Sequence, residues 1–128
     1  MSQNTEAVNG AYEAFARGDV PAIVAIVEDG AEWVSTESLP QGGSFSGPDG
    51  AAQFFQGVAE AWEELNVEID DLLDAGDHVV GLGRGKGKLR DGDSAGYGFT
   101  QVFTMNAGKI AGFREYADPD ETLRRRAA

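Results

Sequence analysis

The chain has no cysteine, which excludes disulfides and thiolate metal sites. Its single histidine, His78, is too little for a histidine-rich zinc centre and argues against a Ser-His-Asp triad. Basic residues are scarce, ten against 22 acidic ones, for a formal net charge of −12. That balance argues against nucleic acid as a partner, because phosphates need a positive patch, and against anionic membrane surfaces. No apolar run approaches the ~18–20 residues of a membrane span, and no signal peptide is visible. A soluble cytoplasmic protein is expected. Asp70-Asp71, with Asp74 and Asp77 beyond, fit no EF-hand spacing and read as solvated acids. Neither a metal nor a cofactor is expected.

What is present is enough for one domain over 1–128, with 41 % hydrophobic residues to build a core. Val8, Ala11, Tyr12 and Phe15 recur at helical spacing and predict a helix over 5–17, stopped by Gly18. Asp19 as N-cap and Pro21 in the first turn predict a second helix over 19–28, ending near Asp29-Gly30. Ala31 to Thr36 reads as a strand with Trp33 and Ser35 on one face. The stretch from Glu37 to Gly50 is rich in Gly, Ser and Pro and reads as a loop, with a short strand around Ser44-Phe45-Ser46. Pro48 opens a third helix to about Glu64, with Ala51, Phe54, Phe55, Val58 and Trp62 on one stripe.

After that helix the pattern changes to period 2. Strands are expected over 67–73 and 79–89, and as a hairpin over 98–116 turned by Asn106-Ala107-Gly108. Phe99, Gln101, Phe103 and Met105 share one face of the first hairpin strand, and Phe113 and Glu115 share one face of the second. If the aromatic face is buried, Gln101 and Glu115 point into an apolar interior and need a partner or a ligand. Segregated helices and a strand meander mean α+β. Three helices cannot cover both faces of the sheet, so a curved antiparallel sheet wraps them as a cone and leaves its other face bare. Gly81, Gly83, Gly85 and Gly87 strip one face of a strand of side chains. Close approach of a partner subunit, room for a ligand, or a loosely packed edge would each account for them. A homodimer through the bare face, using the low profile of these glycines, is expected. Residues 118–128, with Arg124-Arg125-Arg126, read as a flexible tail carrying at most a half-turn of helix.

Several motifs run in one order along nearly the whole chain. They are Tyr12-Glu13-Ala14-Phe15-Ala16-Arg17-Gly18-Asp19, Glu32-Trp33, Phe45-Ser46-Gly47-Pro48-Asp49-Gly50, Gly76-Asp77-His78-Val79-Val80, and Phe103 to Ile110 with Phe113-Arg114-Glu115-Tyr116. In this the chain resembles the nuclear transport factor 2-like superfamily, and within it the SnoaL-like group near the ketosteroid isomerases. The resemblance implies a cone-shaped α+β fold, cystatin-like in outline, with an apolar pocket between helices and sheet, usually in a dimer. It leaves function open among isomerases, polyketide cyclases, epoxide hydrolases, dehydratases and non-catalytic binding domains. Ser35 stands where the isomerases carry their general-base aspartate. Ala11 stands where they carry an oxyanion-donor tyrosine, with Tyr12 adjacent but turned by about 100° on a helical period. Gln101 stands where they carry a protonated aspartate. Arg84-Gly85-Lys86, the nearest match to the epoxide hydrolases' Arg-x-Asp, lacks the carboxylate.

Glu115 is the candidate base, since desolvation would raise its pKa into a useful range. It reads equally as half of a structural ion pair with Arg84. Arg84 either anchors a ligand oxygen, holds Glu115, or is a solvated strand residue. Gln101 is the third polar candidate, able to donate through its amide or to satisfy a buried backbone group. Tyr12, Trp33, Ser35, Phe54, Tyr97, Phe99 and Phe113 are the expected pocket residues, Trp33 and Tyr97 each with a polar tip. The expected partner is a small apolar, oxygenated ligand of steroid-, terpenoid- or polyketide-like type. The expected chemistry is acid–base isomerisation, cyclisation or dehydration; binding without catalysis, or protein association alone, remain as alternatives.

Overall fold

The structure is a computed structural model, and it describes residues 2–127. Helix α1 spans Gln3–Ala16, α2 Val20–Val24 and α3 Gly47–Ala61. The strands are β1 (Val27–Ser35), β2 (Gly43–Ser46), β3 (Trp62–Ala75), β4 (His78–Leu89), β5 (Ser94–Asn106) and β6 (Lys109–Pro119), followed by α4 (Glu121–Ala127). Ser2 caps α1 by accepting from Thr5 N–H at 3.1 Å, and Asp19 caps α2 by accepting from Ala22 N–H at 3.3 Å. All six strands form one sheet in the order β2-β1-β6-β5-β4-β3. The helices pack in its concave face, which gives the expected α+β cone. The sheet is mixed rather than wholly antiparallel, because β1 runs parallel to β6. Among the described residues, no helix is long and apolar enough to cross a membrane.

The second helix is shorter than its N-cap and proline suggested. Ile110 N–H bonds Ile26 O at 2.7 Å, so β6 captures the chain there and Val27 already pairs with Ile110. Asp29-Gly30, expected to end a helix, instead lies in the irregular stretch of β1 between Val27 and Glu32. The β5–β6 hairpin turns at Ala107 and Gly108, with φ of 49° and 81°, the left-handed pair that matches strand twist. The C-terminal segment, expected to carry at most a half-turn of helix, carries α4. Its Leu123 is buried, and Arg126 pairs with Asp91 and Asp93 on the β4–β5 turn.

The glycine ladder faces the inside of the cone, not the bare outer face. A Cβ at Gly81 would meet the Tyr12 hydroxyl, and one at Gly85 the Tyr97 ring. Cβ atoms at Gly83 and Gly87 would meet the Glu68 and Glu64 carbonyl oxygens of β3. The ladder therefore makes room for two tyrosines and lets β3 lean over β4. It plays no part in the outer surface, where a partner subunit was expected to use it. That surface carries Leu73, Val80, Leu82, Val102 and Tyr116, with Tyr116 56 % exposed.

Candidate functional site

Strand register assembles the site in rows. Ser35 of β1 pairs with Glu115 of β6, Glu115 with Gln101 of β5, and Gln101 with Gly81 of β4. This row is polar and then empty. The next row inward is apolar: Phe45, Trp33, Phe113, Phe103 and Val79 are successive neighbours. Trp33 stacks on Phe113 at 4.3 Å between ring centres, and Phe54 and Phe55 of α3 close over Trp33 at 6.0 and 5.8 Å. Tyr12 crosses from α1, and its hydroxyl sits over the vacancy at Gly81.

Three hydrogen bonds join the polar row. Ser35 Oγ donates to Glu115 Oε1 at 2.6 Å, and Gln101 Nε2 donates to Glu115 Oε2 at 2.6 Å. Tyr12 O–H donates to Gln101 Oε1 at 2.6 Å. Glu115 is 3 % exposed. Burial pushes its carboxyl above the usual range, opposed by the bonds from Ser35 and Gln101. The Tyr12 and Tyr97 hydroxyls are pushed up as well, first by burial and then by the Glu115 charge, so both stay protonated donors.

The cavity beside this row is narrow, with about 60 Å³ of free space, and it opens to solvent at its mouth. Helices α1, α2 and α3, strands β1, β3, β5 and β6, and Gln41 from the β1–β2 loop line it. Among the lining residues there is no Lys, Arg or His, and Glu115 is the single carboxyl. No group of three or more His, Asp or Glu placed to hold a metal occurs among the described residues. One buried side-chain atom lacks a partner in the described residues, Trp33 Nε1. Its N–H is a fully buried donor without a hydrogen bond.

The structure brings together Glu115, Gln101, Ser35, Tyr12, Trp33, Phe54, Tyr97 and Phe113. Phe99 is buried outside the cavity lining, packed by Tyr97 at 6.1 Å and under Gly83. Arg84 is a correction. It lies on the outer face, half-exposed, paired with Glu68 at 2.7 Å and Asp70 at 3.1 Å. Glycine, not arginine, occupies the inward positions of β4, so Arg84 neither touches the cavity nor holds Glu115. Arg84→Met is expected to leave the melting temperature and ligand response at the parent's values, read by differential scanning fluorimetry. Tyr12 is the reverse case. Its neighbour Ala11 also lines the cavity, but the Tyr12 ring is long enough to bring its hydroxyl to Gln101. Gln41 escaped the sequence reading. It is 3 % exposed, accepts from Trp62 Nε1 at 3.0 Å and approaches the Tyr97 hydroxyl at 3.4 Å. A glutamine inside a Gly/Ser/Pro-rich loop gives no sequence signal of burial.

The SnoaL-like domain model matches residues 8–113, and the chain belongs to that family. Two solved structures of nuclear transport factor 2-like proteins are similar over nearly their full lengths. One, from Burkholderia thailandensis, is 30 % identical, covers 99 % of this chain and 98 % of its own, and has a TM-score of 0.86. The other, a protein of unknown function from Burkholderia pseudomallei, is 28 % identical over 97 % of both chains, with a TM-score of 0.87. TerC, co-crystallised with polyporic acid, is 25 % identical, covers 91 % of this chain and 92 % of its own, and has a TM-score of 0.79. No curated protein gives a significant match.

Proposed function

We propose that the protein takes a small, largely apolar, oxygenated molecule into the cone and moves a proton on it, with Glu115 as the base. The class of reaction is isomerisation, cyclisation or dehydration run by the protein's own side chains. The carrying observation is the placement of Glu115, the one carboxyl in an apolar cavity, with a raised proton affinity and two tyrosine hydroxyls nearby. A base whose pKa lies nearer neutrality transfers protons more effectively than an ordinary carboxylate. The aromatic walls suit a flat ligand body. The co-crystallisation of TerC with polyporic acid supports an organic ligand in a fold of this kind.

The test is deuterium exchange. A panel of flat cyclic ketones is incubated with the protein in heavy water, and exchange beside the carbonyl is followed by proton NMR. The reading requires at least one ketone whose exchange the protein accelerates. One observation favours non-catalytic binding as a second reading, because both Glu115 oxygens already accept hydrogen bonds within the protein. Under it, the ketones raise the melting temperature without exchange.

The same reading includes a homodimer through the outer sheet face, where Leu73 and Tyr116 lie exposed beside Val80, Leu82 and Val102. Sedimentation equilibrium at micromolar concentration is expected to return twice the 13.5 kDa chain mass. Tyr116→Lys is expected to return the monomer.

A further inference from the structure

The hydrogen bonds around Gln101 have two self-consistent arrangements. In the first, Tyr12 donates to Gln101 Oε1, so Nε2 is the atom facing Glu115, and it donates there. This arrangement excludes a proton on Glu115 Oε2, because a carboxyl proton there would face another donor. In the second, the amide is turned by half a rotation. A protonated Glu115 then donates to Oε1, and Nε2 donates to the Tyr12 oxygen. Tyr12 can no longer direct its proton at Gln101, and its O–H turns to the cavity that it lines. The glycine at position 81 leaves the hydroxyl room to rotate. The amide oxygen and nitrogen exchange places and no other heavy atom need move, since the two ends of an amide have nearly the same shape.

We propose that Gln101 is a two-position switch that couples proton uptake by Glu115 to release of the Tyr12 hydroxyl as a hydrogen-bond donor for a ligand oxygen. The proton count balances. Glu115 gains one proton, from a bound ligand or from water. Tyr12 keeps its own, and the amide keeps both of its hydrogens. When the proton comes from a ligand, negative charge develops on that ligand's oxygen as Tyr12 becomes free to meet it. Gln101 is thus a positioning residue, acting through Tyr12 and Glu115. Its role in turnover rests on the reading of Glu115 as base, whereas the switch itself operates without ligand.

The groups facing Glu115 from the surrounding elements are Tyr12 on α1, Ser35 on β1, and Tyr97 and Gln101 on β5. Helices α2 and α3 and strand β3 present only apolar side chains to the cavity, and the loop contributes Gln41. Tyr12 and Tyr97 remain protonated, so Glu115 is the one member that changes charge between acid and neutral pH. Ser35 supplies the competing route. A proton on Oε1 would reverse the Ser35 bond and leave Gln101 still.

The experiment is an NMR titration of the ligand-free protein, labelled with 15N and with 13C at the tyrosine ζ and glutamate δ carbons. The Gln101 side-chain amide is assigned by its loss in Gln101→Met. The Gln101 amide, Tyr12 ζ carbon and Glu115 δ carbon are expected to titrate with one shared midpoint in the parent. In Glu115→Gln the first two become independent of pH. Tyr12→Phe takes one bond from each arrangement, but the phenol-to-carbonyl bond of the first is the stronger, so the Glu115 midpoint is expected to rise, by less than the roughly one pH unit of a whole net hydrogen bond. Gly81→Ala, which pushes the hydroxyl off Gln101, is expected to shift it the same way. A Glu115 midpoint that leaves the Gln101 and Tyr12 signals unmoved overturns the switch, as does a midpoint that responds to Ser35→Ala but not to Tyr12→Phe. Failure of ketone exchange with a shared midpoint intact would instead overturn the catalytic reading and leave the switch standing.

Discussion

Glu115→Gln is expected to abolish protein-catalysed exchange on bound ketones while preserving the fold. A positioned general base contributes about 10²–10⁴-fold, so exchange should fall by that factor toward the solvent rate. Its effect on folding should be small. Arg84 does not face Glu115, so removing the carboxylate strands no buried cation. The new amide can satisfy its neighbours if Gln101 turns. Stability near neutral pH should therefore stay within about 1 kcal/mol of the parent, the size of one net hydrogen bond. The pH dependence has a definite sign. Burial raises the Glu115 pKa above its ordinary 4.5, so folding favours the protonated form. Stability from this group is fully present below the unfolded pKa and is lost as pH rises through the folded one. The melting temperature of the parent, taken relative to Glu115→Gln, should thus decline as pH rises from about 4 toward neutrality. The comparison with the variant removes the contribution of the other acidic groups. A parent-to-variant difference that grows with pH would place Glu115 in a site that prefers its charge. Unchanged exchange in the variant would remove it from the chemistry.

The face assignments were legible because strand parity is a strict period. Phe99, Gln101, Phe103 and Met105 alternate with half-buried neighbours along β5, and Phe113 and Glu115 follow the same rule on β6. One buried phenylalanine therefore fixes the direction of the polar residue two positions away. What parity cannot supply is which strand lies beside which. Ser35 meets Glu115 because β1 runs parallel to β6, a pairing of residues 80 apart that no local pattern encodes. Arg84 was misplaced for the same reason. Alternation says that Arg84 opposes the glycines, but not that the glycine side is the inside. The empty side is the inner one because Tyr12 and Tyr97 fill it from other elements. Helix α2 ended early because pairing of Ile26 and Val27 with β6 overrides a capping signal that is local.

Gly83→Ala is expected to be among the most destabilising single-methyl changes in the sheet. The added carbon would press on the Glu68 carbonyl oxygen, lie 3.1 Å from its carbonyl carbon, and sit 3.0 Å from the Phe99 ring. The carbonyl is backbone and held in the β3–β4 ladder, beside the register shift between Ile69 and Asp71. It cannot swing aside as a side-chain tip would. Overpacking of this kind costs about 1–3 kcal/mol, and a backbone neighbour puts Gly83 at the upper end. For a chain of this size that lowers the melting temperature by roughly 4–12 °C. Gly98→Ala on β5 is the matched control, since nothing lies within 4 Å of its added carbon. It should be neutral or slightly stabilising, by restricting the unfolded chain. The consequence reaches the cavity. The lean of β3 over Gly83 and Gly87 is what carries Leu65 and Val67 to its wall. Forcing the strands apart at Gly83 should therefore weaken ketone binding as well as stability, whereas Gly98→Ala should leave both alone. If Gly83→Ala melts with Gly98→Ala, the Glu68 carbonyl does not press on β4, and the glycines of this strand need another explanation.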